Sequence, residues 1–206
     1  MFITVAPLVT VVLAIAVLVA VRAGSGAASP KSGQSAAAAS ATVVGEVSSV
    51  PVSVLNAVGV GSVTTLPTAI SGTALTVNGM PRILYVGAEY CPFCAAERWA
   101  VVVALSRFGT FANLGQTTSS PSDVYPSTAT PTFHGATYVS NVLAFTLTET
   151  QSNQVVNGSY ATLDTLSAAD QALVSKYDTG NGIPFIDIGG KYVISGASYS
   201  PAVLQA

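Results

Sequence analysis

The hydrophobic positions of the chain fall into blocks of different length and period. The first block, Phe2–Val21, runs for twenty positions without a charged residue, and a helix of that length spans the roughly 30 Å core of a bilayer. We therefore predict a membrane anchor at 1–22. The alternative is a signal peptide, but its apolar part is usually about 7–15 residues long and follows basic residues, of which none precedes this block.

The block after the predicted anchor is polar and of low complexity. Residues 23–42 are mostly Ala, Ser and Gly, a composition typical of a flexible linker. From residue 43 the pattern changes to short apolar runs separated by Gly, Pro and Thr, and Val52–Val58 favours a short helix. We assign 43–206 to one domain, a length that can bury a core of its own.

The clearest short-range pattern lies in the middle of the chain. Ile83–Val86 is an apolar, β-branched run typical of a buried strand. A Cys-Pro-Phe-Cys motif follows at Cys91–Cys94, and the residues after it contain no Gly or Pro up to Leu105. Because proline is tolerated in a first helical turn, this pattern predicts a strand followed by a helix whose N-terminus carries the two cysteines.

Two further elements are predicted near the end of the chain. Thr165–Tyr177 indicates a helix that Ser167 caps, with Asp170 three residues later in a capping-box arrangement. Two alternating apolar runs then flank Gly189-Gly190, which is typical of a β-hairpin. Pro184 begins the first of these strands, a position where proline is tolerated.

Composition limits the classes of function. Charged residues make up 8 % of the chain, against about 25 % in an ordinary soluble domain. Seven Lys and Arg residues and a net charge of −2 argue against a nucleic-acid partner, since phosphate contacts require clustered cations. With His134 as the single histidine and two cysteines in all, a four-ligand zinc site would need carboxylates. We predict no metal.

The position of the two cysteines indicates redox chemistry. Backbone N–H groups and the dipole at a helix N-terminus stabilise a thiolate, which lowers a thiol pKa from about 8.5 into the range of about 3.5–7.5. Cys91 is therefore the predicted nucleophile, and Cys94, one helical turn later, the resolving thiol. We predict no cofactor other than the redox-active disulfide that this pair forms.

The combination of a strand, a Cys-Pro-Phe-Cys helix and an Ile-Pro hairpin resembles the thioredoxin fold. The resemblance implies an α/β domain in which Pro184 follows a cis peptide bond and faces the disulfide, while the backbone of Ile183 binds an extended substrate. The long separation between the motif and Pro184 predicts an insertion at about 109–160. Because that segment is rich in Ser, Thr and Pro, we do not expect a helical insertion.

The block Glu89–Trp99, which reads EYCPFCAAERW, narrows the resemblance. Together with Leu105–Phe111 and Asp123–Pro126, it resembles an uncharacterised family of membrane-anchored, thioredoxin-like microbial proteins catalogued as a domain of unknown function. The similarity covers roughly Val47–Leu204. It implies a thioredoxin-like fold and redox activity but no particular substrate.

Neighbouring side chains have predicted roles of their own. Phe93, between the cysteines, contributes to the substrate pocket. Glu89 and Glu97 are the candidate proton carriers for Cys94; the alternative is that they are solvated or paired with Arg98. We expect the aromatic residues that follow in and after the helix to belong to the core rather than to a substrate platform: Trp99, Phe108 and Phe111.

Placement of the domain in the cell rests on two opposing signals. Arg22 and Lys31 follow the apolar block, and by the positive-inside rule they place the domain in the cytoplasm. The charge-poor, Ser- and Thr-rich domain and its cysteine pair fit an oxidising, extracytoplasmic place better. We therefore predict a single-pass protein of the cell membrane with an extracytoplasmic domain.

The function predicted from these patterns is that of a membrane-tethered thiol–disulfide oxidoreductase. Its partners would be thiols and disulfides of exported proteins, or a membrane redox partner. Two alternatives stay open at this point. One is a binding module without catalysis that keeps Cys91–Cys94 as a structural disulfide, and the other is an electron-relay partner of a membrane oxidase that generates disulfides.

Overall fold

The computed structural model describes residues 29–180 and 182–205, which form a mixed α/β fold with several β-sheets and four α-helices. The predicted anchor at 1–22 and the first part of the predicted linker lie outside the described residues. Within them, no single helix has the length and hydropathy of a membrane span; Ala41–Ser48 and Val52–Val58 reach that threshold only as a pair, bent by 68°.

The strands of the central sheet are β2 at Thr68–Ala69, β3 at Thr76–Val77, β4 at Met80–Gly87, β9 at Ala144–Glu149, β12 at Phe185–Ile188 and β13 at Tyr192–Ser195. The sheet is organised around β4, which contains the predicted Ile83–Val86 run. β9 pairs with β4 in parallel, and β12 pairs with it on the other side in antiparallel orientation. β13 and then β2 continue the sheet beyond β12, and β3 forms a hairpin with the start of β4.

Two helices cover the two faces of this sheet, and alternation along β4 decides which core each face forms. Tyr85 lies in a cluster with residues of α3, Pro92–Leu105, whereas Leu84 and Val86 lie in a second cluster with residues of α4, Ala168–Tyr177. Successive residues of a strand point to opposite faces. Both faces of β4 are therefore buried, as its continuous apolar run predicted.

The predicted helix with the cysteine motif is α3. Cys91 is its N-cap residue and Pro92 its first residue, the position where the missing N–H of proline costs nothing. The helix ends at Leu105, and the N–H groups of Ser106 and Gly109 bind carbonyls of its last turns. The prediction of a strand followed by a cysteine-bearing helix is confirmed.

Ser167 caps α4 as predicted, but its contact with Asp170 differs from a capping box because the hydroxyl of Ser167, rather than its N–H, donates to the carboxylate. The Ser167 hydroxyl accepts the backbone N–H of Asp170 at 3.1 Å and donates to its carboxylate at 2.8 Å. The helix starts at Ala168, three residues after the predicted start, because Ser167 is the cap and the residues before it are not helical.

The predicted hairpin is formed by β12 and β13, and Gly189 and Gly190 in its turn both have positive φ, 65° and 70°. Glycine adopts this conformation without the clash that a Cβ atom would cause. A 3-10 helix, Pro201–Leu204, follows β13. In the part of the chain that the structure describes, it is the last element.

The range predicted as an insertion forms strands rather than helices. It contains β6 and β7, to which β1 from the segment before the domain adds a third strand, the pair β5–β8, and all but the end of the pair β10–β11. However, β9 belongs to the central sheet although it lies inside the predicted range, so two peripheral pieces flank it. The bounds are Ala37–Ala38 for β1, Thr110–Ala112 for β5, Gly115–Thr118 for β6, Ala129–Thr132 for β7, Thr137–Val139 for β8, Gln151–Val156 for β10 and Ser159–Thr162 for β11.

The described end of the predicted linker is hydrogen-bonded along this peripheral part. The N–H of Gly33 donates to the carbonyl of Asn153 at 2.9 Å, and that of Ala39 donates to the carbonyl of Leu114 at 3.0 Å. Two short helices follow, α1 at Ala41–Ser48 and α2 at Val52–Val58. The helix predicted at Val52–Val58 is confirmed.

Candidate active site

The two cysteines occupy the first turn of α3 as a pair of unequal thiols. Both are free; Cys91 is 5 % exposed and Cys94 is fully buried behind it. The Sγ atom of Cys91 accepts the backbone N–H of Cys94 at 3.2 Å. Cys91 is thus both the N-cap of the helix and the thiol closer to the surface, as the nucleophile of an exchange reaction must be.

The environment lowers the pKa of one thiol and raises that of the other. A hydrogen bond from the Cys94 thiol lowers the pKa of Cys91; burial opposes this, whereas the Cys94 N–H and the charge of Arg98 reinforce it. Burial raises the pKa of Cys94 well above its ordinary value, and its hydrogen bond to Cys91 adds to the effect. Because the thiolate is the reactive form of a thiol, Cys91 is the more readily ionised and more reactive of the two.

The loop before β12 lies directly against this pair. The Cys91 thiol donates to the carbonyl of Ile183 at 3.7 Å. The Ile183–Pro184 peptide bond is cis, which confirms the conformation that the resemblance implied. The carbonyl of Pro184 accepts the N–H of Gly196 at 2.8 Å, so the hairpin holds this loop in place beside Cys91.

A groove of about 470 Å³ opens beside the pair. Phe93 and Ile183 lie on it, together with Thr64 and Thr65 from the segment after α2 and the residues from Ser195 to Ser200, except for Ser198. Phe93 is 38 % exposed, and its ring packs edge-on against that of Tyr125, with 5.7 Å between centroids. The structure thus places Phe93 and Ile183 on one groove and Ile183 against Cys91; that these residues bind a substrate stays a prediction.

The two candidate proton carriers are buried but engaged elsewhere. Glu97 accepts two hydrogen bonds from Ser198, from its N–H at 2.8 Å and its hydroxyl at 2.9 Å. Burial raises the pKa of Glu97 against these two bonds. Glu89 accepts the hydroxyl of Thr132 at 2.6 Å. Neither carboxylate is solvated or paired with Arg98, so that alternative is wrong: the fold provides both with hydroxyl donors.

The partner of Arg98 is Glu149, at the end of β9, which sequence reasoning did not single out. The guanidinium binds both carboxylate oxygens, at 2.7 and 2.9 Å, and neither side chain is exposed. Arg98 also donates to the carbonyl of Ala88 at 2.6 Å, which in turn accepts the N–H of Cys91 at 3.2 Å. This buried ion pair therefore supports the turn that leads into the redox motif.

The charges of Arg98 and Glu149 interact in a place that solvent does not reach. Burial opposes the charged form of Arg98, but the carboxylate of Glu149 raises its pKa well above the ordinary value. Burial raises the pKa of Glu149, whereas Arg98 lowers it. The charge of Arg98 also favours the thiolates of Cys91 and Cys94. The positive charge of Arg98 thus lowers the pKa of both cysteines.

Tyr85 is the second residue of this site that the sequence did not reveal. It lies on β4, is fully buried, and its hydroxyl has no hydrogen-bond partner among the described residues. Burial raises the pKa of Tyr85 well above its ordinary value, and the charges of Cys91 and Cys94 raise it further. From the sequence alone, Tyr85 was predicted only to be part of an apolar strand.

A signal for Arg98 was present in the sequence, but none was present for its partner. Arg98 follows Cys94 by four positions, which places the two side chains on one face of a helix. Glu149 is distant along the chain, in a segment whose pattern indicates only a short strand. Pairing of β9 with β4, which places Glu149 opposite Gly87, is what brings the carboxylate to the site.

The three aromatic residues predicted for the core have different outcomes. Phe111 is 6 % exposed and lies in the core cluster, which confirms the prediction for it. Trp99 is half-buried and donates its ring N–H to the carbonyl of Ala129 at 2.9 Å. Phe108 is 54 % exposed, so the prediction was wrong there, because its backbone closes the end of α3 while its ring remains outside the core.

His134, the single histidine of the sequence, binds a carboxylate. Its Nδ1 lies 2.8 Å from Oδ1 of Asp164, and its side chain is 42 % exposed. Across residues 29–180 and 182–205, no group of three or more His, Cys, Asp or Glu residues is arranged to hold a metal ion.

Comparison with known families matches most of this structure. The family described as Domain of unknown function (DUF929) matches residues 67–206. The chain belongs to the DUF929 family. The DUF929 domain contains the central sheet, α3 with Cys91 and Cys94, and the loop of Ile183, whereas β1, α1 and α2 precede it. The predicted membership of a family of unknown function is confirmed in this form. No curated protein and no solved structure matched the chain.

Proposed function

We propose that the DUF929 domain of this chain is a thiol–disulfide oxidoreductase with a thioredoxin-like fold. In a thioredoxin-like fold the strand before the cysteine motif and the strand that follows the cis proline lie side by side in one sheet. β4 and β12 pair over Val86↔Phe185 to Ile83↔Ile188, and this pairing supports that fold. It also explains how Cys91 comes to lie against Ile183, although they are far apart in the sequence.

The observation that best supports the proposed activity is that the two thiols differ in exposure and in the direction of their pKa shift. Cys91 lies at the surface end of the pair with a lowered pKa, and Cys94 lies fully buried behind it with a raised pKa. A structural disulfide has no need of such a difference, whereas exchange requires one thiolate that attacks and a second thiol that is held back until the mixed disulfide has formed.

The reaction follows from this order. The Cys91 thiolate attacks one sulfur of a substrate disulfide; this sulfur becomes bonded to Cys91 Sγ, the substrate S–S bond breaks, and the other substrate sulfur leaves as a thiolate. Cys94 then loses its proton and attacks Cys91 Sγ, which releases the sulfur that had been bonded to it. The substrate gains two electrons and two protons, and the pair becomes a disulfide. Oxidation of a dithiol is the same sequence in reverse.

The groove beside the pair supports a polypeptide substrate. Backbone groups of the loop that precedes β12 lie within it, and the Ile183 carbonyl lies 3.7 Å from Cys91 Sγ. An extended segment that binds here would present a cysteine to Cys91. With Phe2–Val21 as a membrane anchor, the proposed substrates are thiols and disulfides of exported proteins outside the cytoplasm, and no nucleic acid.

The experiment that tests this function is a redox titration of the full chain in detergent. The fraction of the oxidised pair is followed by alkylation in glutathione buffers. We expect a reduction potential between about −120 and −270 mV, the range of catalytic pairs. A pair that stays oxidised below about −300 mV behaves as a structural disulfide and contradicts the proposal.

A trapping experiment complements the titration. In the Cys94→Ala variant the mixed disulfide at Cys91 cannot resolve, so client proteins should remain covalently bound and appear on non-reducing gels. The Cys91→Ala/Cys94→Ala variant is the matched control and should capture nothing. If the pair stays oxidised below about −300 mV and no client is trapped, the chain is a binding module rather than an enzyme.

A further inference from the structure

Large apolar side chains are exposed at residues that are close, along the chain or in contact, to the groove beside Cys91. Val124 is 73 % exposed, Leu66 68 %, and Val63 and Phe93 38 % each. Single exposed apolar residues are ordinary on protein surfaces, whereas a contiguous set marks a contact surface. The neighbours of these residues decide which of the two descriptions applies.

Each of these residues either lines one groove or is next in the chain to a residue that lies at it. Phe93, Thr64 and Thr65 line the groove beside the cysteine pair, and Val63 and Leu66 flank the two threonines in the chain. The Phe93 ring packs against that of Tyr125, which follows Val124. We call this set the active-site rim: Val63, Leu66, Phe93 and Val124.

The rim and its surroundings are almost without charge. No charged residue occurs between Glu46 and Arg82 in the sequence, a stretch that includes two of the rim residues, and the side chains that line the groove are uncharged. Asp123 and Lys31, whose N–H binds Ser122, are the exceptions beside the rim. A surface of this kind has little with which to steer a charged partner, but it can enter the interface of a bilayer without desolvating charges.

The course of the chain supplies an independent reason to place a bilayer here. The N–H of Lys31 donates to Ser122 Oγ at 3.1 Å, in the loop that carries Val124. Lys31 lies ten positions after Val21, the last residue of the apolar run, and ten residues of extended chain reach at most about 35 Å. If Phe2–Val21 spans the membrane, this connection keeps Lys31, and with it the loop of Ser122 and Val124, within about 35 Å of the bilayer surface.

The opposite end of α3 is the natural comparison. The helix has 14 residues and is therefore about 21 Å long. Val139 pairs with Thr110, just beyond its C-terminal end. Val139 and the nearby Val142 are 67 % and 57 % exposed, as apolar as the rim residues but remote from both the groove and Lys31. They serve as internal controls.

We propose that the active-site rim rests on the surface of the bilayer, with Cys91 facing the lipid headgroup region. The inference rests on the proposed function and narrows it: the thiols and disulfides that reach Cys91 are those held at the membrane surface, in membrane proteins or in segments emerging from the membrane. The orientation follows from the rim and from the point where the chain joins the domain.

The test uses the full chain in nanodiscs of phosphatidylcholine with brominated acyl chains, which quench tryptophan at short range. Trp99, the single tryptophan of the sequence, is first replaced by Phe. A tryptophan is then introduced by Leu66→Trp or Val124→Trp at the rim, and by Val139→Trp or Val142→Trp as the controls. We expect the rim positions to be quenched several-fold more strongly than the controls, with emission shifted to the blue.

Equal quenching at rim and control positions, or quenching at neither, overturns the proposal. A blue shift at the rim that appears only after a client has been trapped on Cys91 also overturns it, because a protein then covers the rim. Lipids with photoactivatable acyl chains provide a second measurement that needs no variant. Crosslinks on the unmodified chain should fall in 63–66 and 121–126 and be absent from 137–142.

The redox reaction is measured separately, so that the two proposals cannot be confused. The full chain in detergent, where no bilayer is present, is tested for exchange with a soluble aromatic disulfide. If the chain exchanges disulfides in detergent but the rim shows no lipid contact in nanodiscs, the proposed oxidoreductase function stands and only the proposed orientation on the bilayer is overturned. Absence of exchange contradicts the proposed function whatever the quenching shows.

Discussion

Glu149 binds the guanidinium of Arg98 with both carboxylate oxygens, at 2.7 and 2.9 Å, in a place that solvent does not reach. The remaining donors of Arg98 bind the carbonyl of Ala88 and the hydroxyl of Thr130, at 2.6 and 3.2 Å. Taking two charges out of water costs about as much as their attraction returns. The pair is therefore better explained by what it positions, namely the turn before Cys91.

Replacement of Arg98 by Met should cost stability and weaken the thiolate. Glu149 would remain buried without its partner, an effect of about 3–5 kcal/mol on the free energy of unfolding. The pKa of Cys91 should rise, because the charge of Arg98 lowers it in the native protein. Urea unfolding of the chain from Ser29 onward measures the first effect, and ultraviolet absorbance of the thiolate against pH measures the second.

Arg107 offers the matched control for this variant. It lies just beyond α3 and donates only to the carbonyl of Val50, at 3.1 Å in an exposed place. Arg107→Met should change the free energy of unfolding by less than about 0.5 kcal/mol. The double variant Arg98→Met/Glu149→Leu should recover most of the stability but not the low pKa of Cys91. Equal losses for Arg98→Met and Arg107→Met would rule out the positioning role.

The two thiols should react at different pH. Because the pKa of Cys91 is lowered and that of Cys94 is raised well above its ordinary value, iodoacetamide at neutral pH should label Cys91 alone. In the Cys94→Ala variant the hydrogen bond from the second thiol is missing, and the pKa of Cys91 should rise. Mass spectrometry of timed alkylation reactions follows both effects; comparable labelling of the two thiols would contradict the assigned roles.

Tyr85→Phe should stabilise the protein. The Tyr85 hydroxyl is buried without a partner among the described residues, and such a group costs about 1–3 kcal/mol. Tyr138→Phe is the control from the same cluster, because the Tyr138 hydroxyl donates to the carbonyl of Leu105 at 2.9 Å, and its removal should cost about 1 kcal/mol. Urea unfolding compares the two variants; a loss of stability in Tyr85→Phe would show that its hydroxyl has a bonding role.

Glu97 should make the protein less stable as the pH rises above the ordinary range of a carboxylate. Burial raises its pKa in the folded protein, whereas the unfolded value is about 4.3. Between these two values the folded state binds more protons, so the free energy of unfolding decreases as the pH increases through this window. Thermal unfolding between about pH 4 and pH 7 measures the slope.

The variant Glu97→Gln cannot titrate and should flatten this part of the profile. Glu46→Gln, on the exposed side of α1, is the matched control and should keep the native slope. If Glu97→Gln retains the slope, the titrating group lies elsewhere; Asp187 and Glu149 are the carboxylates to test next, because burial raises the pKa of each.

Local patterns were sufficient to predict several elements of this fold. The apolar run before Cys91, the proline after it and the absence of Gly and Pro up to Leu105 predicted β4 and α3. Ser167 and Asp170 predicted the start of α4, and the two glycines between apolar runs predicted the hairpin. Each of these signals acts within a few residues, so the local sequence contains the information required.

The assignment of β9 shows where such reasoning ends. Its residues lie inside a segment rich in Ser and Thr, and the sequence placed them in an insertion. The strand belongs to the central sheet because it pairs in parallel with β4 from Arg82↔Ala144 to Gly87↔Glu149. Parallel strands are joined by a long connection, so no turn next to β9 indicates that it pairs with β4.

The sequence by itself determined the residues on which the proposed chemistry rests: two cysteines at a helix N-terminus, an Ile-Pro strand start and an apolar run long enough to span a membrane. The tertiary structure decided what surrounds them. It assigned Glu149 rather than Glu89 or Glu97 to Arg98, gave the two candidate carboxylates hydroxyl partners, and left the Tyr85 hydroxyl unpaired. Caps and turns depend on neighbours in the chain, whereas a buried charge depends on whichever strand the sheet brings beside it.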